Sequence, residues 1–242
     1  MTAQATEEQF RPVGAPSLGF WRWLLPALTV AILVLPWTLQ LTGTEAPVLW
    51  WASRAFGFVA YGALWAAMLT GLLVSAKGLD GWLDRKVLVE LHQQWTLAGV
   101  FATAIHVLTV VTNEHAGVGI VGSLVPFAAE RLAAPVGLGV ISFWMLALVS
   151  VSSWFQTRVP YTWWRVIHTI SFGAFVLALI HSVASGTDSG VAVVRWAYVG
   201  SGSLLAGAIV VRLLVAAGGR SRRRSSRPQP AAAASRAEGS AR

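Results

Sequence analysis

Long apolar segments constrain this chain more than any other feature. Six runs, 23–41, 55–75, 91–111, 135–155, 166–184 and 196–214, each approach the roughly 20 residues a helix needs to cross about 30 Å of hydrocarbon. Apart from the phenols of Tyr61 and Tyr198, the only ionisable side chains inside them are His92, His106, His168, His181 and Arg212. A backbone in lipid must satisfy its own hydrogen bonds, and the runs lack the apolar/polar alternation of barrel strands, so helices are the expected form. The fold class expected is all-α, a membrane protein with a six-transmembrane-helix bundle.

Composition agrees with lipid as the solvent. Charged residues are 12% of the chain, about half of what a soluble globule carries. There is no cysteine, which removes disulfides, thiolate zinc sites, Cys-ligated iron–sulfur clusters and covalent haem attachment. Any metal or cofactor must be held by His, carboxylate or carbonyl groups. The net charge of +8 is concentrated at 220–242, which suits anionic lipid and supplies no folded basic surface for nucleic acid.

Lys and Arg placement predicts direction. With the N-terminus inside, Arg11, Arg22, Lys77, Arg85, Lys86, Arg158, Arg165 and the Arg-rich tail lie on the cytoplasmic side, against Arg54, Arg131 and Arg195 outside. Both termini are then cytoplasmic. The opening residues contain Glu7 and Glu8 and lack a basic n-region, so the first run reads as a retained span rather than a cleaved signal. The expected organisation is a cytoplasmic segment 1–19, a six-helix transmembrane domain 20–216 and a disordered basic tail 217–242. Nine tryptophans, among them Trp50, Trp51, Trp163 and Trp164, fall at predicted span ends, where indoles prefer the headgroup zone. Trp65, Trp95 and Trp144 fall deeper, suited to packing against neighbouring helices or a flat ligand. The longest outer connection, 117–134, reads as either a short surface helix around 124–131 or an ordinary loop.

Four of the five histidines sit in two spans. An ionisable residue in a membrane is costly and points to function. His92 and His106 are 106 − 92 = 14 residues apart on the third span, and His168 and His181 are 181 − 168 = 13 apart on the fifth. At about 1.5 Å per residue, each pair is separated by roughly 20 Å along its helix. The two spans run in the same direction, so His92 shares a level with His168 and His106 with His181. Each level thus offers the two imidazoles that bis-His ligation of a b-type haem requires. Rotation is less tidy, because thirteen residues leave the two histidines of the fifth span about 140° apart on an ideal helix. A kink or overwound turn near Gly173 would relieve this. A His-lined proton path or a transition-metal site without haem are the competing readings, as is a noncatalytic anchor that recruits a partner through its basic tail. His115, beside Asn113 and Glu114, reads as solvated. Arg165, three residues before His168, and Arg54, at the outer end of the second span, are candidate partners for haem propionates.

The runs Leu91-His92-Gln93, Ala104-Ile105-His106, Trp164-Arg165-Val166-Ile167-His168 and Leu179-Ile180-His181 resemble the ferric reductase-like transmembrane domain, the haem module of ferric reductases and NADPH oxidases. The resemblance implies two haem b groups, one on His92 and His168 and one on His106 and His181. The Trp-Arg-x-x-His run is also similar to the haem-binding membrane subunit of the methionine sulfoxide reductase system, whose partner is a separate periplasmic enzyme. No stretch of this sequence reads as the cytosolic flavin and nicotinamide domain usual in ferric reductases, so the expected electron donor is a separate flavoprotein, a bound flavin or a membrane quinol. Val110 stands where oxidases of the family tend to carry a further histidine. The function expected is transmembrane electron transfer to an external acceptor, in a multi-pass protein of a bacterial plasma membrane.

Overall fold

The computed structural model describes residues 31, 34–43, 47–75 and 84–225, with side chains up to 214. Helix dominates, and there is no strand among the described residues. A helical piece at 34–41 (α1) precedes α2 (Val48–Val74), α3 (Arg85–Thr112), a 3-10 turn (Glu114–Ala116), the short α4 (Gly119–Leu124), α5 (Ala133–Trp154), α6 (Tyr161–Ser185) and α7 (Ala192–Ser225). Five of these, α2, α3, α5, α6 and the Ala192–Leu214 part of α7, are long and apolar enough to cross a membrane. Of the expected first span, 23–41, only residue 31 and α1 fall among the described residues, and the segments 1–19 and 226–242 lie outside them.

Helix ends follow local chemistry. The Asp84 carboxylate accepts the Lys86 N–H at 2.8 Å and caps α3. Pro160 precedes α6 and Gly186 follows it. The helical backbone of α7 runs to Ser225, past the expected end at Leu214 and into the segment expected to be unstructured. No proline interrupts it before Pro228, and Ala and Arg are strong helix formers. The 117–134 connection, expected to lie outside, is helical at Gly119–Leu124 rather than around 124–131. Residues after Val125 turn irregularly, with Phe127 and Leu132 both at positive φ.

Two antiparallel hairpins form the bundle, α2 with α3 and α5 with α6; they meet where α2 touches α6 and α3 touches α5, and α7 lies against α2 and α6. Lipid supplies no hydrophobic drive between helices, so close van der Waals packing through small residues has to hold them. The α2 face towards α3 is a run of such residues, with Ser53, Ala60, Ala63 and Ala67 all buried. Across it stand Gly99, Ala102 and Thr109 of α3; a Cβ on Gly99 would come within 2.8 Å of Leu64. In the second hairpin, Ser142 Oγ donates to Ala174 O at 2.8 Å. The aromatic rings of Tyr61, Phe175 and Tyr198 join α2, α6 and α7, and the Trp65 indole donates to Ser201 O at 3.1 Å. Large apolar side chains such as Leu97, Val193 and Trp196 are more than half exposed. On a soluble protein they would form an aggregation-prone surface, whereas lipid solvates them.

Candidate functional site

α3 and α6 carry the four histidines and are not packed closely on each other; each leans on its hairpin partner instead. Imidazole rings face one another across the interval. The His92 and His168 ring centres are 6.0 Å apart with planes at 69°, and those of His106 and His181 are 6.3 Å apart at 72°. The pairing expected from the co-directional spans is the one found. With two imidazole nitrogens each about 2.0–2.1 Å from a shared metal, ring centres lie roughly 6 Å apart, the separation seen at both levels. Among the described residues no three His, Cys, Asp or Glu side chains converge as a metal-holding group. A metal at either level therefore needs its remaining ligands from a macrocycle or other small molecule.

Three of the rings rest in the same kind of seat. His106 Nδ1 bonds Ser53 O at 2.7 Å, His92 Nδ1 bonds Ala67 O at 2.8 Å, and His181 Nδ1 bonds Pro135 O at 2.9 Å. Four residues beyond each carbonyl is a glycine against the ring. A Cβ would fall 3.2 Å from His106 at Gly57, 3.1 Å from His92 at Gly71 and 2.6 Å from His181 at Gly139. These carbonyls accept, so each Nδ1 carries the proton and Nε2 is left as a free lone pair, the tautomer a metal ligand needs. Sequence reading missed the glycines, although one signal was visible: Gly57 and Gly71 are fourteen residues apart, as are His92 and His106.

His168 is different. Its Nδ1 is buried with no partner, and its ring lies against Trp164, centres 5.0 Å apart and planes 25° from parallel. α6 is one continuous helix through Gly173. The rotational mismatch of its thirteen-residue interval coincides with unequal surroundings for the two α6 histidines.

A cavity of about 240 Å³ surrounds the His106–His181 pair, walled by Phe58, Tyr61 and Tyr198 on α2 and α7 and by Val110, Val136 and Phe143 on α3 and α5. Arg54 and Arg131 also line it. Arg54 is held by a two-pronged ion pair with Asp188, including Nε to Oδ2 at 2.8 Å, which ties α2 to the α6–α7 turn. A partner 134 positions away left no trace in the sequence pattern. Arg131 lays its stem over Gly117, which sits at φ 62°. Arg165 stands one turn before His168 with its side chain exposed, and His115 is exposed in the 3-10 turn.

Fold and site together define a multi-pass, all-helical membrane protein with two stacked imidazole pairs. The chain belongs to the family described as Domain of unknown function (DUF8596), which matches residues 48–188 and so spans all four histidines, Arg54 and Asp188. No curated protein and no solved structure matches it.

Proposed function

We propose that this protein carries electrons across the membrane through two b-type haems, one held by His92 and His168 on the cytoplasmic side and one by His106 and His181 on the outer side. The observation that carries the reading is the pair of ring separations, 6.0 and 6.3 Å, at two depths about fourteen residues of helix apart. A haem held between each histidine pair would bring its own macrocycle nitrogens and supply a one-electron redox couple.

The chain's part is to bind, orient and insulate. Backbone carbonyls of Ser53, Ala67 and Pro135 fix three ring planes and raise the basicity of the imidazoles. Apolar walls keep water away and set the potential. Arg165 is the propionate partner at the inner level; Arg54, already neutralised by Asp188, and Arg131 are the cations at the outer one. Arg85, Lys86, Arg158 and Arg165 fall at one set of helix ends and Arg54, Arg131 and Arg195 at the other, which favours a cytoplasmic C-terminus and, with a sixth span at 23–41, a cytoplasmic N-terminus; the membrane proposed is a bacterial plasma membrane. The resemblance to the ferric reductase-like transmembrane domain supports the same direction of flow, from a separate flavoprotein or quinol to an external acceptor.

Proteoliposomes with dithionite sealed inside and ferricyanide outside test this. The full chain, loaded with haem, is expected to reduce external ferricyanide faster than protein-free vesicles, and His106→Ala/His181→Ala to abolish the difference. Equal rates for the full chain and empty vesicles would overturn the proposal.

A further inference from the structure

We infer that His168 is the exchangeable ligand of the four, and that the His92–His168 level takes up a neutral two-electron donor of the carbon monoxide class. This rests on the two-haem reading above. The starting point is the repeated seat. On α2 the seats recur after fourteen residues, Ser53 with Gly57 and Ala67 with Gly71, matching the fourteen-residue spacing of His106 and His92 on α3.

On α5 the face that seats His181, Pro135 with Gly139, comes round again fourteen residues on, at Val149 and Ser153. Two things spoil that second seat. α6 spaces its histidines by thirteen, so His168 is out of register with it. Ser153 also brings a side chain where the other seats have none, and its hydroxyl accepts the Trp164 indole N–H at 3.4 Å. Trp164 in turn lies face to face with His168. The outcome is an imidazole held by stacking, with its buried Nδ1 unbonded, beside an α5 stretch where the Ser150 hydroxyl is likewise buried and unpartnered.

A hydrogen bond from Nδ1 fixes ring orientation and strengthens Nε2 as a donor, and losing such a partner typically costs about 10–100-fold in metal affinity. His92, on the opposite side, keeps its bond to Ala67 O. His168 is therefore the ligand that gives way. With carbon monoxide the exchange would replace one neutral two-electron donor by another: the bond from His168 Nε2 would break and the bond to carbon monoxide would form, with no electron or proton moved.

Carbon monoxide titration of the dithionite-reduced, full-length protein is the test. One of the two haems is expected to form an adduct. His106→Ala/His181→Ala should retain it and His92→Ala/His168→Ala should lack it. Trp164→Ala leaves every ligand in place but removes the ring His168 rests on, and its carbon monoxide affinity is expected to rise at least about tenfold. A wild-type protein that holds two haems and forms no adduct, an adduct confined to the outer level, or an affinity unmoved in Trp164→Ala each overturns the assignment. A preparation that binds no haem at all speaks against the two-haem reading instead.

Discussion

Replacing Gly139 by alanine puts a methyl group where the His181 ring now rests. The added Cβ would stand 2.6 Å from His181 Nδ1, against the 3.4 Å at which ordinary contact begins, so the ring must retreat by 3.4 − 2.6 = 0.8 Å. Pro135 O is one turn away on the same helix, and a retreat along the bond stretches it from 2.9 Å to about 3.7 Å, outside hydrogen-bond range. Losing that partner weakens the ligand about 10–100-fold, on the order of 1.4–2.8 kcal/mol. Gly57→Ala and Gly71→Ala ask for only 0.2 and 0.3 Å on the same arithmetic and form the mild end of the series. Gly62 has nothing within 4 Å, so alanine there should leave the site alone and add helix stability of roughly 0.5–1 kcal/mol. Gly99→Ala is the packing control, since its Cβ meets Leu64 and no histidine. The assay is the haem-to-protein ratio and reduced spectrum of each purified variant. Gly139→Ala should lose or shift the outer haem alone while Gly99→Ala keeps both. If Gly139→Ala retained both haems with unaltered spectra, the idea that glycines seat the rings would fail.

Other perturbations probe the surroundings. Asp188→Asn leaves the half-buried Arg54 charge without its counter-ion and should lower the thermal midpoint in detergent, by about 1–3 kcal/mol of stability, with Arg54→Gln/Asp188→Asn recovering part of the loss. Removing the cation of Arg131 should lower the midpoint potential of the outer haem, because a positive charge stabilises the reduced state; redox titration of Arg131→Gln against Arg131→Lys reads this, and equal potentials would take Arg131 out of the site. Ser142→Ala deletes an interhelical hydrogen bond between α5 and α6 and should cost about 0.6 kcal/mol by unfolding in mixed micelles with haem content unchanged.

How much of this was legible beforehand depended on whether the information was local. Heights along a helix follow from the 1.5 Å rise alone, so His92 met His168 and His106 met His181 where spacing and direction placed them. Five of the runs became helices, but hydropathy stops at the first polar residue while a helix continues to its cap. Thus α3 starts at Arg85 beside Asp84 rather than at Leu91, and α2 takes in Arg54 and begins at Val48. What a ring touches is set by how a neighbouring helix is rotated, which no single segment encodes. The seats at Ala67, Ser53 and Pro135 and the clasp between Arg54 and Asp188 belong to that class. The thirteen-residue interval on α6 was visible as a misfit, yet its consequence, an unanchored His168 stacked on Trp164, required the packed hairpin to be seen.

Haem content of the purified full-length chain, produced with ample haem supply, bears most directly on the central claim. Two non-covalent b-type haems per polypeptide are predicted, falling to one in His92→Ala/His168→Ala and to one in His106→Ala/His181→Ala. A folded, helical protein that carries none under those conditions would contradict it.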